Sequence, residues 1–343
     1  MKILVIGPSW IGDMVMSHSL YRTLKSQYPD AIIDVIAPAW CCSLLSRMQE
    51  INQAITMHIG HGALAIGERY RLGKALRVSG YDRAYVLPNS FKSALVPLFA
   101  GIKRRIGWCG EMRYGLLNDI RMLDKTAFPL MVERYVALGY DIPVASARQL
   151  PQPLLWPQIQ VEEHEKIKIA FQFHLSVKRQ LIGFCPGAEF GTAKQWPYYH
   201  YAMLAHYLIA EGKQVVLLGS TKDWHLGNDI IAALPKEDCS YCRNLAGATQ
   251  LEQVVILIAH CYGIVSNDSG LMHIAAALNR PLVALYGPSS PEFTPPLSRQ
   301  VRIIRLISGY QKMRTGAVEG GYHQSLIDIQ PQRVYQELSE LLS

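Results

Sequence analysis

Two stretches decide the fold. The first is Met1-Lys2-Ile3-Leu4-Val5-Ile6-Gly7-Pro8-Ser9-Trp10-Ile11-Gly12-Asp13, and the second is Leu181-Ile182-Gly183-Phe184-Cys185-Pro186-Gly187-Ala188-Glu189-Phe190-Gly191-Thr192-Ala193-Lys194-Gln195-Trp196-Pro197. Each begins with a continuous run of apolar residues cut off by Gly and Pro, the pattern of a strand buried on both faces. Each is followed by a helical run, Met14 to Gln27 in one case and Tyr198 to Ala210 in the other.

Outward from the first stretch, strands are expected at Ala31 to Ile36, Arg83 to Leu87 and Ile102 to Ile106. Helices are expected near Arg69 to Val78, Phe91 to Ala100 and Met131 to Gly139. Outward from the second, strands are expected at Gln214 to Leu218, Gly263 to Ser266 and Leu282 to Tyr286. The helices there are Glu162 to His174, Asp223 to Ala233, Leu251 to Ala259 and Ser269 to Leu278. Strand and helix alternating in this way predict an α/β protein with parallel, doubly wound sheets. Between 141 and 160 the alternation fails and Pro143, Pro151, Pro153 and Pro157 crowd together, which marks a linker. The expected domains are therefore 1–155 and 156–343, two Rossmann-like units whose sheets face each other. A last helix, 331–342, opens on Pro331 and could pack on its own unit or back on the first.

The length, 343 residues, suits two domains at about 150 residues each. Half the residues are hydrophobic and 18% are charged, which excludes a disordered chain. No apolar stretch reaches the roughly 18 to 20 residues that span a bilayer, and the short apolar start before Gly7, Pro8 and Asp13 is a poor secretory signal, so a cytoplasmic protein is expected. Seven cysteines, an odd number with Cys41 and Cys42 adjacent, read as reduced thiols. Cys239 and Cys242 have CxxC spacing but no second pair to complete a zinc site. The net charge of +7 is unevenly placed: residues 1–155 hold 18 Lys and Arg against 11 Asp and Glu, and residues 156–343 hold 16 of each. Lys103, Arg104 and Arg105 are the densest part of that excess and are expected either to capture an anionic acceptor or to form a solvated face.

Open α/β sheets bind ligands beyond the carboxyl ends of their strands, so the loops there should carry the chemistry. In Gly7 to Asp13 the glycines do not match GxGxxG, and no Lys-Ser/Thr follows Gly12. Asp13 at a helix mouth repels phosphate and is a candidate general base, or else only a helix cap. Ser9, Trp10 and Gly12 line the same loop. In the loop after the second stretch, Gly187 allows close backbone approach, and Thr192 and Lys194 are suitable phosphate ligands. The third loop, Ser266-Asn267-Asp268-Ser269-Gly270-Leu271-Met272-His273, enters a helix through cap formers, so its free amides suit a diphosphate, with Ser269 and His273 on one face.

Together these loops resemble those of the bacterial ADP-heptose:lipopolysaccharide heptosyltransferases over essentially the whole chain. Segments Pro186 to Trp196, Asn267 to His273, Leu285 to Pro291 and Gly320 to Ile329 are most like the heptosyltransferase II branch. The resemblance implies a GT-B fold that takes an ADP-L-glycero-D-manno-heptose donor and transfers heptose, with inversion and no metal or cofactor, to the first heptose of a phosphorylated lipid A–Kdo acceptor. It implies Asp13 as base, Lys194 at the diphosphate or sugar, and Ser269, Gly270 and His273 as the diphosphate cradle. Asp268 would bind sugar or ribose hydroxyls, Asp223 the ribose, and Gly247 and Thr249 would approach the adenine. The acceptor would lie on Ser9, Trp10, Gly12 and the 103–105 cluster, with peripheral contact at the cytoplasmic face of the inner membrane. Adjacent threonines found in some heptosyltransferase I relatives are replaced here by Ala188-Glu189.

Other readings are another nucleotide-sugar transferase such as heptosyltransferase I or III, an NAD-dependent dehydrogenase with Asp34 on the ribose, and a nucleic-acid binder using the basic cluster. The missing GxGxxG speaks against the dehydrogenase, and the absence of any binding module against nucleic acid.

Overall fold

The computed structural model describes every residue except His61, Phe190, Gln311 and Lys312, and at Glu319 the backbone alone. The chain forms two compact units, Met1–Pro157 and Gln158–Ser343, divided inside the proline-rich stretch. The first holds β1 (Lys2–Ile6), α1 (Ile11–Gln27), β2 (Ile32–Ala37), α2 (Ala39–Leu45), β3 (Gln53–Thr56), α3 (Ile66–Leu76), β4 (Arg83–Val86), α4 (Leu95–Phe99), β5 (Arg104–Trp108), β6 (Asp119–Arg121) and α5 (Met131–Leu138). The second holds α6 (Glu163–Gln172), β7 (Leu181–Cys185), α7 (Tyr198–Ala210), β8 (Gln214–Leu217), α8 (Trp224–Ala232), β9 (Cys242–Asn244), α9 (Leu251–His260), β10 (Gly263–Asn267), α10 (Gly270–Ala277), β11 (Leu282–Tyr286), β12 (Val301–Arg305), α11 (Gln324–Ile327) and α12 (Pro331–Leu342).

Each unit contains one six-stranded parallel sheet. The orders are β3-β2-β1-β4-β5-β6 and β12-β11-β10-β7-β8-β9, the same doubly wound order when counted from the first strand of each unit. The order reverses between β1 and β4 in one sheet and between β7 and β10 in the other, and these switch points are where a crevice opens beyond the strand ends. The central strands β7, β10 and β11 are buried at every residue, as their apolar runs require. Gly7 lets the chain leave β1 tightly: its amide bonds the carbonyl of Ile36 at 2.9 Å, and a Cβ there would meet the Met14 side chain.

The last helix belongs to the second unit, which corrects the alternative that it returns to the first. Val334 and Leu338 are buried in the core around Trp196, Tyr201 and Phe184, and α12 packs on α7, β11 and β12. Among the described residues no helix is long and apolar enough to cross a membrane.

Candidate functional site

At the switch point of the first sheet, β1 ends and α1 begins with Trp10 as its N-cap, so Asp13 is the third helical residue and is not the cap. Its side chain is accepted into a packed environment where the hydroxyl of Tyr135 on α5 donates to it. Burial dominates and raises the carboxyl to about 6, with the Tyr135 hydrogen bond opposing the rise. A carboxylate with that pKa is ionised at neutral pH and close to the value that makes a general base effective. Ser9 and Gly12 are half-buried beside it and Trp10 is 41% exposed, so this loop offers an aromatic face and a base, with no cation of its own.

The basic cluster lies elsewhere. Arg104 pairs in register with Arg83, and Arg83 with Ile3, which sets the cluster level with the start of β1. Asp13 follows the end of β1, so about 10 Å of strand separates the two before the loop is counted. The arginines are also engaged: Arg104 bridges Asp119 at 2.9 Å and Asp141 at 2.6 Å, and Arg105 donates to the carbonyls of Leu116 and Ile102, both at 2.6 Å. Arg69, Arg113 and Arg121 are buried and bonded to backbone carbonyls. The expectation that Lys103, Arg104 and Arg105 lie with Asp13 in an acceptor site is therefore corrected. The charge excess counts arginines that tie loops together inside the unit, and of the three only Lys103 is exposed.

At the switch point of the second sheet, Lys194, in a single 3-10 turn Thr192–Lys194, forms an ion pair with Asp268 at 2.8 Å. Asn267, fully buried at the end of β10, joins the same two loops: its amide nitrogen donates to Pro186 at 2.6 Å, and its oxygen accepts from the Trp196 amide and the Tyr201 hydroxyl, both at 3.1 Å. Ser269 is the N-cap of α10, yet its hydroxyl makes no cap bond and lies 3.3 Å from that of Ser266. The first amides of α10, at Gly270 and beyond, are thus open to an anion. His273, one turn into α10, is buried, and burial lowers it to about 4 against the opposing pull of Asp268. The imidazole is therefore neutral at pH 7, with one ring N–H to donate and one ring nitrogen to accept.

The five other expected donor residues have partners within the unit. The Thr192 hydroxyl donates to the Gly321 carbonyl at 2.9 Å, so it tethers the late glycine turn and does not offer its proton to phosphate. Asp223 closes its own turn, accepting from the amide and hydroxyl of Ser220 at 2.8 and 2.7 Å. It lies against Gly187, where any Cβ would collide with the carboxylate, so these two are brought together. Gly247, at φ +73°, donates its amide to Gly219 at 3.1 Å and rests on Thr221, while Thr249 bonds the Leu245 carbonyl at 3.3 Å. The loops after β8 and β9 are thereby adjacent. Phe190, in the loop after β7, lies outside the described residues.

Asp34 is buried in β2 and accepts from Tyr81 at 2.5 Å and Asn52 at 2.8 Å, which removes it as a ribose ligand and with it the dehydrogenase reading. All seven cysteines are free thiols; Cys242 sits in β9 and Cys239 opens the turn before it. Among the described residues no group of three or more His, Cys, Asp or Glu is arranged to hold a metal. Sequence reasoning missed Tyr135 and Asn267 as contributors, the first because a helix 122 residues away delivers it and the second because an Asn at a strand end reads as a simple cap.

The chain matches the family model of glycosyltransferase family 9 (heptosyltransferase) over residues 69–323. It is 70% identical to lipopolysaccharide heptosyltransferase 2 of Escherichia coli strain K12, across all of this chain and 99% of that protein. It is 57% identical to lipooligosaccharide heptosyltransferase 2 of Haemophilus ducreyi, across the full length of both. Among solved structures, that of E. coli ADP-heptose LPS heptosyltransferase II superposes with a TM-score of 0.92 at 68% identity, covering 100% of this chain and 98% of that one. The family match over most of the chain and this likeness along the whole length agree: the chain belongs to glycosyltransferase family 9, the heptosyltransferases, and has their GT-B architecture of two Rossmann-like units.

Proposed function

We propose that the protein transfers heptose from ADP-L-glycero-D-manno-heptose to the first heptose of the lipopolysaccharide inner core, inverting the anomeric carbon. Asp13 takes the proton from the acceptor hydroxyl as its oxygen bonds the anomeric carbon. The bond from that carbon to the diphosphate breaks on the opposite face, and ADP leaves with the electron pair. Negative charge grows on the diphosphate during this step, and the open amides of α10, Ser269, Gly270, His273 and Lys194 are the groups suited to stabilise it. Asp268 and Asp223 are the carboxylates for sugar and ribose hydroxyls, with Gly187, Gly247 and Thr249 shaping the nucleoside side. Ser9, Trp10 and Gly12 bound the acceptor.

On this reading the enzyme works peripherally at the cytoplasmic face of the inner membrane, because its acceptor is a lipid-anchored saccharide. Exposed Trp10, Phe91 and Met112, in loops beyond the carboxyl ends of β1, β4 and β5, supply apolar side chains for such a contact. The observation that carries the proposal is Asp13, a carboxylate raised to about 6 where β1 meets α1. Incubation with ADP-heptose and a lipid acceptor ending in a single heptose should release one ADP per heptose added, and Asp13→Asn should release it about 10²- to 10⁴-fold more slowly. Undiminished turnover by that variant would overturn the mechanism.

A further inference from the structure

The side-chain cations around the second switch point are already matched by carboxylates, which leaves the diphosphate short of positive charge. Lys194 is matched by Asp268 at 2.8 Å and Lys222 by Glu189 at 2.6 Å, Asp223 adds a further negative charge, and His273 is neutral. The loops after β7, β8 and β10 therefore carry a net negative charge, offset only by the partial positive charge at the start of α10. A departing nucleoside diphosphate is a polyanion and calls for a cation.

The segment between β12 and α11 brings one to this place. The Arg314 carbonyl accepts the amide of Ala193, next in sequence to Lys194, at 3.1 Å. Gly191 has φ +115°, and the Arg314 backbone occupies the space its Cβ would need. Seven residues later the Gly321 carbonyl accepts both the Thr192 hydroxyl at 2.9 Å and the Gly316 amide at 2.7 Å. The chain from Arg314 to Gly321 is thus a strap, folded on itself and fastened at both ends to the Gly191–Ala193 turn, and the Arg314 side chain is exposed to solvent.

We infer that Arg314 is a donor-binding residue: the strap exists to set its guanidinium beside Lys194, where it binds the diphosphate of the nucleotide sugar. This explains why Thr192 is a tether and why positions 191 and 321 are glycines, since a Cβ at either would push the strap away. A guanidinium is suited to the task because its fork grips two phosphate oxygens at once.

The inference rests on the nucleotide-sugar reading, and calorimetric titration with ADP separates the two. Wild type should bind ADP, and Arg314→Gln should bind it about tenfold more weakly, the size of a charge-assisted hydrogen bond at a partly wet site. Arg314→Lys should recover part of that loss, and added salt should weaken ADP binding less in Arg314→Gln than in wild type. Gly191→Ala, which displaces the strap and leaves Arg314 in the chain, should reproduce the weak binding; Arg314 is exposed, so thermal unfolding of Arg314→Gln should be unchanged. Equal ADP affinity in wild type and Arg314→Gln would overturn the inference alone. No ADP binding by wild type would overturn the nucleotide-sugar reading and this inference with it.

Discussion

The two sheets share one strand order and end in loops of opposite character. Beyond β1 the chain turns in four residues, Gly7 to Trp10, and puts a carboxylate in the first turn of α1. Beyond β7 it takes twelve, Pro186 to Pro197, and the facing helix start after β10 has a serine cap and a glycine with a lysine nearby. The backbone offers an anion-binding dipole at both places, and Asp13 closes one of them to phosphate. The fold supplies two equivalent crevices, and a few loop residues make one acidic and leave the helix start of the other open to an anion.

The largest effect should come from removing the difference at its source. Asp13→Asn should lower turnover by about 10²- to 10⁴-fold, the range of a general base, with ADP affinity changed less than about twofold. A matching loss of ADP affinity would mean the two crevices are not separate in role. The same variant should be more stable than wild type. The carboxyl titrates near 6 when folded and near 3.9 when unfolded, so the folded state binds the proton more tightly and stability falls as pH rises from about 4 to about 6. Asn is spared that loss. Its advantage should be near zero at pH 4 and reach up to about 3 kcal/mol at pH 7.5 by urea denaturation. A constant difference across that range would contradict the burial of Asp13.

Lys194→Ala tests the other crevice. Donor affinity should fall by about 10- to 100-fold, and the fold should weaken because Asp268 loses its partner. Adding Asp268→Asn should restore the melting temperature without restoring affinity. Recovery of both would make Lys194 a purely structural cation.

A smaller effect concerns the tuning of the base. The acid limb of kcat/KM should report a pKa near 6, and Tyr135→Phe should move it upward by about 0.5 to 1 unit, since the hydroxyl stabilises the ionised carboxylate. An unmoved limb would show that Tyr135 only fills space. The smallest effect is expected at the cluster that composition makes prominent: Lys103→Gln should leave the acceptor KM within about twofold, because it sits at the far end of the sheet from Asp13. A large rise would restore the cluster to the acceptor site.

The central strands were legible because burial on both faces writes them as unbroken apolar runs, and Lys2–Ile6, Leu181–Cys185 and Leu282–Tyr286 are observed where the pattern puts them. The strands not anticipated, β3, β6, β9 and β12, are the four edges of the two sheets. Gln53–Thr56 and Val301–Arg305 are largely exposed or half-buried and carry polar residues, as edges must, so hydrophobicity does not mark them. The site was legible in its loops, which have distinctive glycines and caps. Its pairings were not: Lys194 and Asp268 are 74 residues apart, and nothing local says that one neutralises the other. The basic cluster failed for a related reason, since counting charge along a chain cannot distinguish an arginine bonded to carbonyls from one in solvent.

Asn267 carries a thermodynamic consequence. Two of its three hydrogen bonds hold the Pro186–Trp196 loop against the end of β10 without any ligand, and the third fixes Tyr201 of α7 there. Ordering of those two loops is thus completed at folding, and a nucleotide arriving there has little conformational entropy left to remove from them. Replacing this one amide with an apolar side chain would transfer that ordering from folding to binding. Affinity would then decline through entropy while every group that touches the ligand stayed chemically the same.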